Sequence, residues 1–326
     1  MWKYTLILIH RGPEYERDFT EIVRKVVDIE PTIQVFFSSV QAKVRLPAEV
    51  WERPTLVVSL NEKFALPIKR GTVLRSSEIS KLGQAKRARE GGISVPPILP
   101  FEFGMKLDPI VFGPFVILKP MTFTSQGKVH LFRRTRAETI GPGDFPPDHF
   151  IHRDRRGYLV QKFVDTGVYP SWNRVMTFLG QPIYAVNGSL TVPRPPLDSS
   201  DQILENATIA IQGGSRQREW RVDDDVMSLA KRVGQVFSEV PLLATDILRD
   251  AQSGKLHFLE CNPGGNTWHF SSDQPGGINL RLQLGEADKH GRKKALELGR
   301  RRMIDQFGAF DVIAEALVEK TRQAAS

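Results

Sequence analysis

The chain reads as an α/β protein in which an open, mostly parallel α/β unit is followed by lobes of mixed helix and antiparallel strand. Three observations carry this. Short aliphatic runs at Tyr4 to Ile9, Ile33 to Ser38 and Leu56 to Leu60 alternate with helical or irregular sequence, the pattern of strands joined by crossovers. Two later aliphatic runs, Leu242 to Leu248 and Lys255 to Asn262, flank a polar break at Asp250 to Gly254 and read as a β-hairpin. Just before that hairpin, Val226, Leu229, Ala230, Val233, Val236 and Phe237 recur at helical spacing behind an acidic start at Asp223 to Asp225.

The 326 residues are too many for one simple core and suggest two or three subdomains, with 40% hydrophobic and 25% charged residues, as in ordinary soluble proteins. One cysteine excludes an internal disulfide and fits a reducing compartment. The opening MWKYTLILIHRG has only about seven apolar residues before His10, so it reads as a strand and not a signal peptide. No later run approaches the ~18 apolar residues of a membrane span, and a cytoplasmic protein without a membrane partner is expected. The net charge of +8 invites a nucleic-acid reading. Yet the basic residues fall in scattered clusters, 128–136, 153–156, 289–294 and 300–302, with no stacking-aromatic motif beside them. A small acidic or phosphorylated partner, ATP included, accounts for the excess equally well, and nucleic acid is not the expected partner.

Ligands of open parallel sheets bind beyond the carboxyl ends of the strands, which makes His10, Arg11 and Ser38 candidate substrate contacts. The alternative is that His10 and Arg11 merely end a strand. Glu78 to Glu90 carries Ile79, Leu82 and Ala85 at helical spacing, with Ser76 and Ser77 available as caps and Gly91-Gly92 as the stop. Phe115 to Pro120 is a strand whose alternation sets Phe115, Ile117 and Lys119 on one face. A lysine there costs desolvation unless an anion meets it. In the turn that follows, Ser125, Gln126 and Gly127 are positioned to offer backbone N–H groups to phosphate, with Lys128 close by. Val129 to Arg133 returns as a strand, residues 137–157 are irregular, and Tyr158 to Val164 is a strand broken by Asp165-Thr166-Gly167. Asn173 to Leu179 and Pro182 to Val186 form a second hairpin with Arg174 at its start. Residues 189–222 read mainly as loop. Helices from about Glu286 to Phe307 and Val312 to Arg322 close the chain and offer a homodimer surface.

The hairpin at 242–262 holds the most chemistry. With its turn centred on Ser253, Asp246 sits opposite Glu260, and directly opposed carboxylates repel unless something positive lies between them. A metal ion is the simplest such thing. Alternation puts Asn262 on the face of Glu260, while Leu259 and Cys261 point the other way. Asp246, Glu260 and Asn262 form an all-oxygen ligand set that suits Mg²⁺ and not zinc. The bland alternative is a surface hairpin with alternating polar residues. Against it stand the apolar neighbours and the abrupt stop at Pro263-Gly264-Gly265.

There is no GxxxxGK[ST] phosphate loop, no GxGxxG after a strand, and no Cys/His set with zinc spacing. What remains is an ordered series: Lys81, ILKP at 117–120, the loop SQGK, the segment VQKFV, NRV at 173–175, and TDI through FLECNPGG. In that order the chain resembles the ATP-grasp superfamily, and within it the glutathione synthetase, ribosomal-protein glutamate ligase and D-alanine ligase group, over about residues 75–275. The resemblance implies an α/β fold of two lobes clasping a nucleotide, with residues 1–76 as a pre-grasp domain, 77–165 as the small lobe and 166–326 as the large lobe. It implies ATP and Mg²⁺ as cofactors. Adenine would lie against Gln161, Lys162, Phe163 and Val164, with ribose on Asp165. Lys81 and Lys119 would hold phosphates, Arg174 the γ-phosphate or the transferred group, and Asp246, Glu260 and Asn262 the metal. Arg174 and Lys119 would be the catalytic cations. The carboxylate substrate would sit near Asn266, Thr267, His269 and Ser271.

The implied activity is an ATP-dependent ligation of a carboxylate, small or peptidic, to an amine through an acyl phosphate. A kinase that phosphorylates a small molecule and a nucleotide-binding module without turnover remain the alternatives. Several features depart from the family pattern: the phosphate loop is shorter in glycine, and His130 to Arg134 is unusually basic beyond it. Lys162 stands where such ligases often carry an acid, and residues 137–157 and 189–222 match no family segment, so substrate specificity is expected there.

Overall fold

A computed structural model of the chain describes residues 1–40, 46–61, 68–121, 129–147, 149–153, 157–210, 216–220 and 222–324. The aliphatic runs of the first unit become β1 (Tyr4–His10), β2 (Ile33–Ser39) and β3 (Thr55–Ser59), with α1 (Glu16–Ile29) crossing between the first two. A further strand, β4 (Gly71–Arg75), absent from the sequence reading, completes a parallel sheet in the order β2-β1-β3-β4. Phe19, Ile22 and Val26 recur on one face of α1 and are buried with Leu6 and Leu8 of β1.

The small lobe follows as α2 (Lys81–Glu90), β5 (Ile98–Pro100), α3 (Pro109–Phe112), β6 (Phe115–Pro120), β7 (His130–Arg133), α4 (Arg134–Ala137), α5 (Phe150–Arg153) and β8 (Tyr158–Lys162). Its strands form an antiparallel sheet, β5-β8-β6-β7. Val116 and Leu118 of β6 enter the lobe's core, which turns Ile117 and Lys119 to the opposite face. Helix α2 begins at Lys81 and not Glu78. Its cap is Ser80, whose hydroxyl accepts from the Gly83 N–H at 3.1 Å, in place of Ser76 or Ser77. The expected phosphate turn at Ser125, Gln126 and Gly127 lies outside the described residues.

The large lobe is built from β9 (Ser171–Phe178), β10 (Gln181–Leu190), α6 (Asp201–Glu205), β11 (Arg216–Glu219), α7 (Asp224–Val236), β12 (Leu242–Arg249) and β13 (Leu256–Pro263). The strands form an antiparallel sheet in the order β11-β10-β9-β12-β13. Leu179 and Gly180, at φ 47° and 80°, make the two-residue turn with positive φ that right-twisted hairpins favour. Helix α7 lays Val226, Leu229, Ala230 and Val233 on the sheet, and its Gly234 lets the backbone of Gly180 come close. A β-carbon there would stand 2.7 Å from the Gly180 Cα. Strand β11 corrects the loop reading of residues 189–222.

Four helices end the chain, α8 (Pro275–Leu284), α9 (Ala287–His290), α10 (Arg292–Asp305) and α11 (Ala309–Gln323). Helix α8 is an addition to the sequence reading. The C-terminal helices, expected to offer a dimer surface, bury Phe310, Ile313, Ala314 and Leu317 of α11 in a core shared with β1, α1 and β10. At its centre the Trp268 indole N–H donates to Asp18 at 2.8 Å, and Asp18 also accepts from Arg300. Among the described residues, no helix is long and apolar enough to cross a membrane.

Candidate functional site

The small-lobe sheet and the Arg174 face of the large-lobe sheet enclose a cavity of about 720 Å³, within the range of small-molecule sites. Asp246 and Glu260 face each other on its floor as expected, but by a different route. Arg249 pairs with Leu256 and Ile247 with Phe258, a register that by itself would set Asp246 against Leu259. A bulge at this point advances β13 by one residue and delivers Glu260. The same bulge corrects the expected direction of Leu259, which lines the cavity beside Leu248 instead of pointing away. Cys261 does face away, buried against Val233 and Phe237, where burial pushes its thiol well above the usual range.

Repulsion between the carboxylates is offset by side-chain cations. Arg174 lies across from Asp246 in the β9–β12 pairing, and its Nε and Nη2 each meet one carboxylate oxygen at 2.7 Å. This is the bidentate geometry that makes arginine–carboxylate pairs strong. Glu260 has the Lys81 Nζ at 3.7 Å and the Lys119 Nζ at 4.0 Å. Burial lowers Lys119 to about 8, partly opposed by Glu260 and reinforced by Lys81. Burial likewise lowers Lys81, and pushes Asp246 up against the pull of Arg174. The resulting cluster holds three cations against two carboxylates, a surplus suited to phosphate.

Asn262 lies two residues beyond Glu260, and its amide nitrogen is 3.4 Å from Asp246. Two carboxylates and one amide are oxygen donors of the hard type that Mg²⁺ takes. They would hold such an ion together with phosphate oxygens and water, the usual manner of Mg²⁺ in nucleotide sites. Among the described residues there is no group of three or more His, Cys, Asp and Glu that would make a metal site without the nucleotide.

Gln84 escaped the sequence reading. β13 is an edge strand, so its outward backbone groups need partners. The Gln84 amide supplies both at once, donating to the Cys261 carbonyl at 2.9 Å and accepting from the Cys261 N–H at 2.8 Å. Lys81, one helical turn earlier on α2, is thereby brought over Glu260. The signal available was the Lys81/Gln84 spacing beside the small residues Ala85 and Ala88.

The remaining expected residues divide. Gln161, Lys162, Phe163 and Val164 line the cavity on the small-lobe side. There the Lys162 N–H donates to Pro97 at 2.8 Å and the Phe163 N–H to Phe115 at 3.1 Å. Asp165 is outside the lining, held by Arg194 at 2.7 Å, and Arg194 itself reaches the wall. Asn266, Thr267 and His269 line the cavity, while Ser271 does not. His10 is buried against Tyr15, Phe19 and Phe37, where burial lowers its basicity, and Arg11 packs on Gly265; neither lines the cavity.

No protein-family model matches the chain, and no curated protein matches it in sequence. Solved structures do match. The ATP-grasp ligase PsnB, complexed with precursor peptide PsnA2 and AMPPNP, superposes with TM-score 0.50 at 13% identity, over 97% of this chain and 98% of that one. The chain has the ATP-grasp fold. Macrocyclase MdnC with precursor peptide MdnA, from Microcystis aeruginosa MRC, gives TM-score 0.48 at 10% identity over 97% and 99% of the two chains. The D-alanine–D-alanine ligase from Bacillus anthracis complexed with ATP gives 0.41 at 11% identity, over 99% of each chain. At such identities the shared property is the ATP-grasp fold alone, and Lys81, Lys119, Arg174, Asp246 and Glu260 converge in the cavity between its two antiparallel sheets.

Proposed function

We propose that the chain is an ATP-dependent, Mg²⁺-requiring ligase that joins a carboxylic acid to an amine through an acyl phosphate. The observation that carries this reading is the convergence of Lys81, Lys119, Arg174, Asp246, Glu260 and Asn262 on one cavity of an ATP-grasp fold. Phosphoryl transfer needs positioning and charge neutralisation more than covalent help, and these side chains supply both.

In this reading Lys162 to Val164 and Gln161 wall the adenine, Arg194, held by Asp165 behind the wall, meets the ribose, and Lys81 and Lys119 hold phosphate oxygens. The loop at Ser125, Gln126 and Gly127 would add backbone N–H donors. Asp246, Glu260 and Asn262 would hold Mg²⁺, which when bound would supply neutralisation of phosphate charge. Arg174 stands where charge builds on the transferred group. The acid lies beyond Asn262, beside Asn266, Thr267 and His269.

The test is ATP consumption with Mg²⁺ across pooled carboxylic acids, amino acids and peptides, with mass spectrometry of products. ADP, phosphate and a product joined with loss of water are expected. ADP with a phosphorylated product would reassign the chain as a kinase, and nucleotide binding without turnover would make it a binding module.

A further inference from the structure

A smaller pocket of about 20 Å³ opens beyond Arg174 on the same face of the sheet, toward its β10–β11 edge. It shares Trp172, Arg174 and His269 with the main cavity and adds Tyr184, Arg216 and Arg218. The register explains how they meet. Gly188 of β10 lies between Trp172 of β9 and Arg218 of β11, and Leu190 pairs with Arg216, so Arg216 and Arg218 project from the same face as Trp172 and Arg174. Gly188 is required by this arrangement. A β-carbon there would stand 2.3 Å from the Trp172 ring, which covers the strand at that point.

Arg216 and Arg218 are only partly exposed, yet no carboxylate among the described residues pairs with either. The Arg218 Nη1 reaches the neutral Gln283 amide at 3.3 Å. Burial and the neighbouring guanidinium groups of Arg216 and Arg174 pull Arg218 down to about 10. The same arginines, after burial itself, drive His269 to about 3, leaving it neutral, with its Nδ1 2.8 Å from the Tyr184 hydroxyl. Cations drawn together in a half-buried pocket without counter-charge are costly unless an anion arrives. The pocket's size admits a water-sized group, which suits a carboxylate better than a phosphate.

We propose that Arg216 and Arg218 form a subsite for a spectator carboxylate, one that does not react, carried by a substrate whose reacting group lies at Arg174. Which end of that substrate reacts rests on the ligase reading; the subsite itself does not. The spectator carboxylate belongs either to a dicarboxylic acid substrate or to an amino-acid amine.

Calorimetry on the full chain with AMP-PNP and Mg²⁺ distinguishes the two, with succinate, glutarate and alanine as probes and butyrate as the control. Succinate or glutarate binding at least about tenfold tighter than butyrate assigns the subsite to the acid, and alanine doing so assigns it to the amine. Arg216→Gln and Arg218→Gln should each erase the preference while leaving AMP-PNP affinity unchanged. Arg218→Lys should retain part of it. The melting temperature of the Gln variants should hold or rise, because an unpaired charge is removed. The proposal is overturned if no probe exceeds butyrate, or if Arg218→Gln weakens butyrate and the preferred probe equally. Failure of AMP-PNP to bind the wild-type chain would defeat the ligase reading instead, and the same titrations without nucleotide would still decide the subsite.

Discussion

The two ends of the large-lobe sheet treat positive charge in opposite ways. At β12 and β13, Arg174, Lys81 and Lys119 face Asp246 and Glu260 at 2.7 to 4.0 Å. At β10 and β11, Arg216 and Arg218 have no carboxylate partner among the described residues. The first end is largely neutralised by the protein, so its geometry is assembled before any ligand arrives, as charge-stabilising catalysis requires. The second end stays electrostatically incomplete, which costs stability and leaves attraction available to an incoming anion. In the proposed reading they separate a reacting end from a recognising end within one cleft.

The largest effect is expected at the assembled end. Glu260→Gln keeps the shape of the side chain but removes the charge that faces Lys81, Lys119 and the proposed metal. Turnover should fall by at least about a thousandfold, measured as phosphate release, with the circular dichroism spectrum unchanged. Undiminished activity in this variant would sink the metal assignment and, with it, the contrast between the two ends.

How much of this contrast was legible in the sequence differs between the ends. The facing of Asp246 and Glu260 depends on a short-range hairpin, and local alternation nearly suffices to read it; only the bulge that also turns Leu259 inward was invisible. β11 was not legible because its residues, RQRE, carry no apolar period, and alternation of charge alone does not mark a strand. Helix α8 was hidden for the converse reason. Ile278, Leu280, Leu282 and Leu284 alternate with a period of two, the signature of a strand, yet Pro275 starts a helix there and tertiary packing overrides the pattern. Gln84 was missed because its role depends on an edge strand 177 residues away.

The next effect in size sharpens the comparison through stability. Asp246→Asn leaves Arg174 facing a neutral amide in a buried position, and should cost about 2 to 3 kcal/mol in denaturant unfolding. Arg218→Gln, at the other end, should cost nothing measurable or stabilise slightly. Equal losses in the two variants would mean that Arg218 is a structural residue with a counter-charge of its own.

A smaller change is expected in nucleotide affinity. Lys119 is 4% exposed, and Lys119→Ala removes one of the two lysines that crowd Glu260. AMP-PNP binding by calorimetry should weaken about tenfold or more, the worth of one charge-assisted contact to phosphate. Unchanged affinity would remove Lys119 from the nucleotide site.

The mildest effect tests the unpaired end through pH. His269 is driven to about 3 by burial first and then by Arg174, Arg218, Arg281 and Arg216, whereas an unfolded histidine titrates at its ordinary 6.5. Between these values the unfolded chain takes up a proton that the folded chain refuses. Stability is therefore undiminished above 6.5 and falls as pH drops through the window, by about 2 kcal/mol between pH 7 and pH 5. His10 and His257 are also lowered by burial and add to the same slope, so the informative quantity is a difference. His269→Gln should flatten the pH 7 to pH 5 loss by about 2 kcal/mol in denaturant titrations, and the Arg216→Gln, Arg218→Gln double variant should flatten it part of the way. A slope identical to wild type in both would mean that His269 accepts its proton in the folded chain, and that the arginine end does not hold the uncompensated charge that sets it apart from the carboxylate end.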